Sequence, residues 1–154
     1  MKKFFAKIGK NCQEKWKLLK FCVKNFTPEE EVDIINSDDV EIFVQKRIEV
    51  DKKLSEKALR AMLQLPNAEK LFSFYTAKYD LPSDIVAMLL ENEHINARYR
   101  RFLQVYLRRH WLPRDLEHYL EIFCDEELNK IYRKMKEEWK EFSCAVQKII
   151  GQKV

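Results

Sequence analysis

Apolar residues recur three and four positions apart along most of this chain, with a short polar break after each run. That spacing places them on one face of an α-helix. The first run is Phe5, Ile8, Cys12, Trp16, Leu19 and Val23, with Phe26 beyond, and it predicts a helix over about residues 2–25. Paired shorter runs follow. Val32, Ile34 and Ile35 precede Val40, Phe43, Val44 and Ile48 across an Asn36-Ser37-Asp38 break. Leu59, Met62 and Leu63 precede Leu71, Phe72 and Tyr75 across Pro66-Asn67. Ile85, Val86, Leu89 and Leu90 precede Ile95, Tyr99, Phe102, Val105 and Tyr106 across Glu91-Asn92-Glu93. Leu116, Tyr119, Leu120 and Phe123 precede a long final run over about residues 126–150. Together these runs predict nine helices: a long first one, then four helical hairpins, the last of which takes the long final helix as its second arm.

The hairpins open alike. Leu81-Pro82-Ser83-Asp84 is echoed 31 residues later by Leu112-Pro113-Arg114-Asp115. Weaker copies open at Leu54-Ser55-Glu56-Lys57 and Phe26-Thr27-Pro28-Glu29, so the four openers begin 28, 27 and 31 residues apart. Proline presets φ for a first helical turn, and the aspartate two residues later favours the positive helix N-terminus. The opener is therefore a helix-start device. A period of this size is the mark of a stacked helical array, in which each unit buries its apolar face only against its neighbours.

The last run repeats as heptads: Leu128, Tyr132, Met135, Trp139, Phe142, Val146 and Ile149 alternate spacings of four and three. Two roles fit it. It closes the open end of the stack, or it forms a coiled coil with another chain, including a second copy of this one.

In Leu81, Pro82, Asp84, Ile85 and Leu89, and their counterparts from Leu112 to Leu120, the chain resembles the two-helix repeats of α-solenoid proteins, HEAT-like and tetratricopeptide-like in the broad sense. It looks closest to uncharacterised bacterial helical-repeat proteins. The resemblance covers about residues 26–135. It implies an all-α fold of stacked hairpins and a scaffold or binding role, by analogy at the level of fold. The units are shorter than either standard period, and the tetratricopeptide Trp, Gly and Tyr pattern is absent.

Composition agrees with a helical chain. Only two glycines occur in 154 residues, Gly9 and Gly151, too few for the turns of a β-rich protein. The four prolines, Pro28, Pro66, Pro82 and Pro113, all stand at breaks between runs. A single helical domain is expected: a basic helix over residues 1–25, hairpins over 26–124 and a long helix over 125–150. No run of 18 apolar residues exists. Lysines interrupt the stretch that would otherwise read as a signal peptide. Four isolated cysteines without CxxC spacing suit reduced thiols and a cytoplasmic location.

Charge adds two candidate surfaces. Residues 1–25 hold eight lysines and one glutamate, with Lys2, Lys3, Lys7, Lys10, Lys17, Lys20 and Lys24 opposite the Phe5–Val23 stripe. That suits a solvated capping helix better than a membrane-surface helix. The second is a basic cluster. On one continuous helix Arg98, Arg101, Arg108 and Arg109 share an arc of about 100°, and Arg114 follows. Arginine forks match carboxylates and phosphates, so these five are the candidate residues for an acidic partner or a phosphate. Catalytic and metal chemistry find little support. There is no Gly-rich phosphate loop and no nucleophile elbow. Glu91 and His94 have the spacing of half a di-iron site, without the second half. The reading is a non-catalytic protein-interaction or scaffold module with no cofactor. The alternative is a nucleic-acid-binding protein using the arginine surface and the N-terminal lysines.

Overall fold

The computed structural model describes residues 20–123 and 126–152. Among these residues every regular element is an α-helix and there is no strand, as composition and periodicity predict. The helices are α1 (Pro28–Ile35), α2 (Val40–Glu49), α3 (Glu56–Met62), α4 (Ala68–Thr76), α5 (Ser83–Glu91), α6 (Glu93–Arg98), α7 (Arg100–Leu107), α8 (Arg114–Phe123) and α9 (Glu126–Gln152). Residues 20–23 are helical too. Residues 1–19 of the predicted N-terminal helix, with all its lysines but Lys20 and Lys24, lie outside the described residues, as does Cys124. Contacts gather into two compact units, one ending at Ile85 and one beginning at Val86.

In the first unit α1 packs on α2, α3 on α4, α1 on α3 and α2 on α4. The apolar runs supply the core: Ile35, Phe43, Val44, Leu59, Met62, Leu71 and Phe72 are fully buried. Helix starts follow the opener chemistry. Thr27 caps α1 by accepting the Glu30 N–H at 3.2 Å, with Pro28 at the first position. Ser55 caps α3 by accepting the Ala58 N–H at 3.2 Å. Helix α2 ends in a Schellman motif: Lys52 N–H donates to the Arg47 carbonyl at 2.9 Å, and Asp51 N–H to that of Ile48 at 3.2 Å. Asp51 itself takes φ 56°, a left-handed conformation that favours glycine.

Polar contacts between these helices join residues about one repeat apart. Lys57 pairs with Glu29 at 2.7 Å and Lys70 with Glu41 at 2.8 Å. Lys78 Nζ donates to the Ile48 carbonyl at 3.1 Å, and the Tyr79 hydroxyl to Asp51 at 2.6 Å.

In the second unit α6 packs on α7, and α9 packs on both α7 and α8. Pro113 stands just ahead of α8, and its carbonyl accepts the Glu117 N–H at 3.0 Å. The opener residue Leu112 is buried, and its N–H donates to the Tyr132 hydroxyl at 3.1 Å. That bond fixes α9 to the start of α8. Of α9, only Leu128, Asn129, Tyr132 and Met135 are buried. Beyond Met135 the helix is exposed apart from the half-buried Lys136 and Val146.

Candidate functional site

The arginine surface lies on the second unit, but not on one helix. The run from Ile95 to Tyr106, predicted as a single helix, is divided at Tyr99, where φ is −100° and ψ 16°. Hydrogen bonding continues through the break: Tyr99 N–H donates to the Ile95 carbonyl and Leu103 N–H to that of Tyr99, both at 2.9 Å. The division is a kink rather than a loop. It places Arg98 on α6 and Arg101 on α7. Arg108 caps the end of α7, Arg109 lies in the turn beyond, and Arg114 opens α8. All five are exposed, and the shared arc that assumes one continuous helix does not hold them together. The Arg98 guanidinium lies 5.5 Å from the Tyr99 ring centroid. In this stretch Arg100 meets Glu127 of α9 at 2.5 Å.

Arg108 has the most structured surroundings of the five. It lines a groove of about 310 Å³ with Met135, Glu138, Trp139 and Phe142. The walls are apolar, and Arg108 and Glu138 are its charged members. The groove continues into α9's exposed half, where Trp139 is 48%, Phe142 62%, Ile149 57% and Ile150 61% exposed. Trp139 and Phe142 touch edge to face with centroids 6.0 Å apart. By the 3.6-residue period these side chains and Val146 share one arc, continuing the stripe that Leu128, Tyr132 and Met135 bury at the base of the helix.

A second groove, of about 800 Å³, is polar and lined by Glu121, Glu126, Asn129, Lys130, Arg133, Lys134 and Glu137. The buried Asn129 Oδ1 at its floor has no hydrogen-bond partner.

The first unit holds a polar centre that the sequence reading passed over. Arg47 is 4% exposed. Its Nη1 donates to the carbonyls of Cys22 at 2.7 Å and Lys24 at 2.8 Å, and its Nη2 lies 3.5 Å from Glu31. Glu31, also buried, accepts the Ser55 N–H at 2.8 Å. The Phe26 and Phe43 rings flank the guanidinium at 5.4 and 5.8 Å. Burial lowers the Arg47 pKa, with Glu31 opposing the shift. Burial also pushes the Cys22 thiol up to about 11, so it is protonated and a poor nucleophile at neutral pH. This centre fastens residues 22–24 to α1, α2 and the start of α3, and gives no sign of chemistry. One signal pointed to it. Arg47 stands where the Val40, Phe43, Val44 stripe next comes round, while Ile48, the residue assigned to that stripe, is only half-buried.

Other sequence candidates come apart in the same way. Asn92 breaks the chain between α5 and α6 with ψ 111°, so Glu91 and His94 do not share a helical turn. Among the described residues no three His, Cys, Asp or Glu side chains converge on a metal-sized site. Cys22 and Cys144 are free thiols. Of the N-terminal stripe, Val23 is described and is 47% exposed, while Cys22 beside it is fully buried. Among the described residues no helix is long and apolar enough to cross a membrane.

Fold and surface together define an all-α protein with an apolar face on its last helix. No family model, curated protein or solved structure matches the chain.

Proposed function

We propose that the chain is a non-catalytic protein-interaction module built from short helical-hairpin repeats. The observation that carries the binding role is the exposed half of α9, where Trp139, Phe142, Ile149 and Ile150 share one face. A contiguous apolar surface of this kind marks a contact with another macromolecule, whereas scattered apolar residues do not. The repeat reading is supported in the first unit, where contacts such as Glu29 to Lys57 and Asp51 to Tyr79 each span 28 residues, the spacing of the first two openers. A photo-crosslinking amino acid at position 142, in cells, tests the binding role. Adducts of protein mass are expected. Lipid adducts, or none, would remove the proposal.

The nucleic-acid alternative retains one supporting observation, the exposure of Arg101, Arg108, Arg109 and Arg114. It requires an affinity that falls steeply with salt. Retention on an anionic polymer that is insensitive to both salt and Arg101→Ala/Arg108→Ala would dismiss it.

A further inference from the structure

We infer that the exposed half of α9 is a self-association surface, and that its occupant is the same segment of a second copy of this chain, packed antiparallel. The inference rests on the binding reading above and names the partner.

The heptad positions are self-complementary in one orientation. In an antiparallel pair related by a two-fold axis at residue 144, Trp139 meets Ile149 of the second copy, and Phe142 meets Val146. Each layer then sets a large ring against a smaller β-branched side chain, the alternation that fills a core without voids. A parallel pair sets Trp139 on Trp139 and Phe142 on Phe142, in core positions where two-stranded parallel coils favour Ile, Val and Leu. The antiparallel pair also brings Ile150 beside Glu138 and the groove lined by Arg108, Met135 and Trp139.

The flanks agree. Ser143, Ala145 and Ile150 border the seam, and Glu138 is its one charged neighbour over Trp139–Ile150. Small uncharged flanks let two helices approach closely and present no like charges to a copy of themselves. Over residues 136–150, Lys136, Lys140 and Lys148 are matched by Glu137, Glu138 and Glu141. An anionic bilayer would call for a cationic excess that is not there.

The area is sufficient. Taking roughly 200 Å² for a large side chain, the exposures of Trp139, Phe142, Ile149 and Ile150 amount to roughly 450 Å² per copy. Two copies bring roughly 900 Å² of apolar surface. Val146 and the small flanking residues carry this to the ~1,000 Å² at which specific interfaces begin.

Sedimentation equilibrium of the full chain at about 10–100 µM tests the inference. A dimer mass is expected, falling to the monomer mass in Trp139→Glu and in Ile149→Glu. Both positions are exposed and lie beyond the last packed residue, Met135, so helical circular dichroism should be kept. A wild-type monomer overturns the inference, as does a dimer that survives both substitutions. A monomer that still gives protein adducts at position 142 leaves the binding role standing with a different occupant; a monomer without adducts removes both. Spin labels decide the orientation, in a chain with Cys12, Cys22 and Cys124 changed to alanine. The antiparallel pair separates labels at position 137 by about 21 Å more along the helix axis than labels at Cys144. Equal separations at the two positions would overturn the antiparallel arrangement.

Discussion

The two units spend their side chains differently. In the first, residues about 28 positions apart meet across neighbouring helices, and even charged groups turn inward: Arg47 and Glu31 are both buried. In the second, one long helix packs its first turns and presents its remaining apolar face outward. Heptad spacing alone does not separate these uses, because the stripe on α9 runs unbroken through both halves of the helix. What divides it is the extent of α7 and α8, which reach the base of α9 and no further. The same sequence pattern is core where a neighbouring helix covers it and exposed where no described helix does.

The largest predicted effect tests how far the first unit depends on its buried polar centre. Arg47→Met removes the donor to the Cys22 and Lys24 carbonyls and strands Glu31 as a buried charge. Breaking a buried pair in this way costs about 3–5 kcal/mol. Denaturant unfolding should show it, and a loss under ~1 kcal/mol would mean the centre is solvated in solution. The second unit is not expected to share the effect, which hydrogen exchange on α9 would register.

In the second unit the corresponding fastening is the Tyr132 hydroxyl. Tyr132→Phe keeps the ring and leaves the Leu112 N–H without its acceptor, at a cost of about 1–3 kcal/mol. Burial and the neighbouring Glu117 push the Tyr132 pKa up to about 12, against the backbone hydrogen bond to Leu112. The folded pKa lies above the unfolded value near 10. The stability it contributes is therefore present below about pH 10 and lost as pH rises toward 12. Alkaline titration of unfolding should show less steepness in Tyr132→Phe.

Much of this fold was legible in the residues themselves. Phe43, Val44, Leu59, Met62, Leu71, Phe72 and Leu89 are buried where the period places them, and Thr27 and Ser55 cap the helices their openers announce. Three features were not legible. The kink at Tyr99 depends on local φ and ψ that apolar spacing does not encode, and it scattered the arginine arc, whereas the break that separates Glu91 from His94 falls at Glu91-Asn92-Glu93, where the runs predict one. Val105 keeps the helical phase yet is 47% exposed, because Leu103 and Leu107 fill the core beside it. Arg47 was hidden by its chemistry: an arginine is read as surface unless its carbonyl and carboxylate partners are known. The candidate site was half visible, since the heptad on α9 was plain and the point where packing stops was not.

A smaller effect separates backbone from side chain at the end of α2. Asp51 holds a left-handed φ of 56° and accepts from Tyr79 and Lys78. Asp51→Gly loses the side-chain contacts and relieves the backbone. Asp51→Ala loses the contacts and keeps the strain, so it should melt a few degrees below Asp51→Gly. The Tyr79 hydroxyl and then Lys78 hold the Asp51 carboxyl below its ordinary range. Its stabilisation is therefore present above the unfolded carboxyl value of about 4 and lost as pH falls through the lower folded value. Acid unfolding of Asp51→Asn should lack that component.

The smallest effect bears most directly on the contrast between the units. Lys70 and Glu41 join α4 to α2 at 2.8 Å with both side chains about half exposed. An exposed pair contributes roughly 0.2–1 kcal/mol and weakens in salt. If such pairs only decorate a stack held by apolar burial, Lys70→Ala should cost at most ~0.5 kcal/mol, and 1 M salt should leave the variant and the parent equally stable. A larger loss that persists in high salt would mean that contacts one repeat apart set the register between neighbouring helices. Lys136 and Glu117 provide the control in the second unit. At 2.6 Å their pair is shorter, and Glu117 is the less exposed partner at 22%, yet it joins α9 to α8 over only 19 residues. A larger loss at Lys136–Glu117 would show that solvent exposure, rather than a separation of about one repeat, decides what an ion pair contributes in this protein.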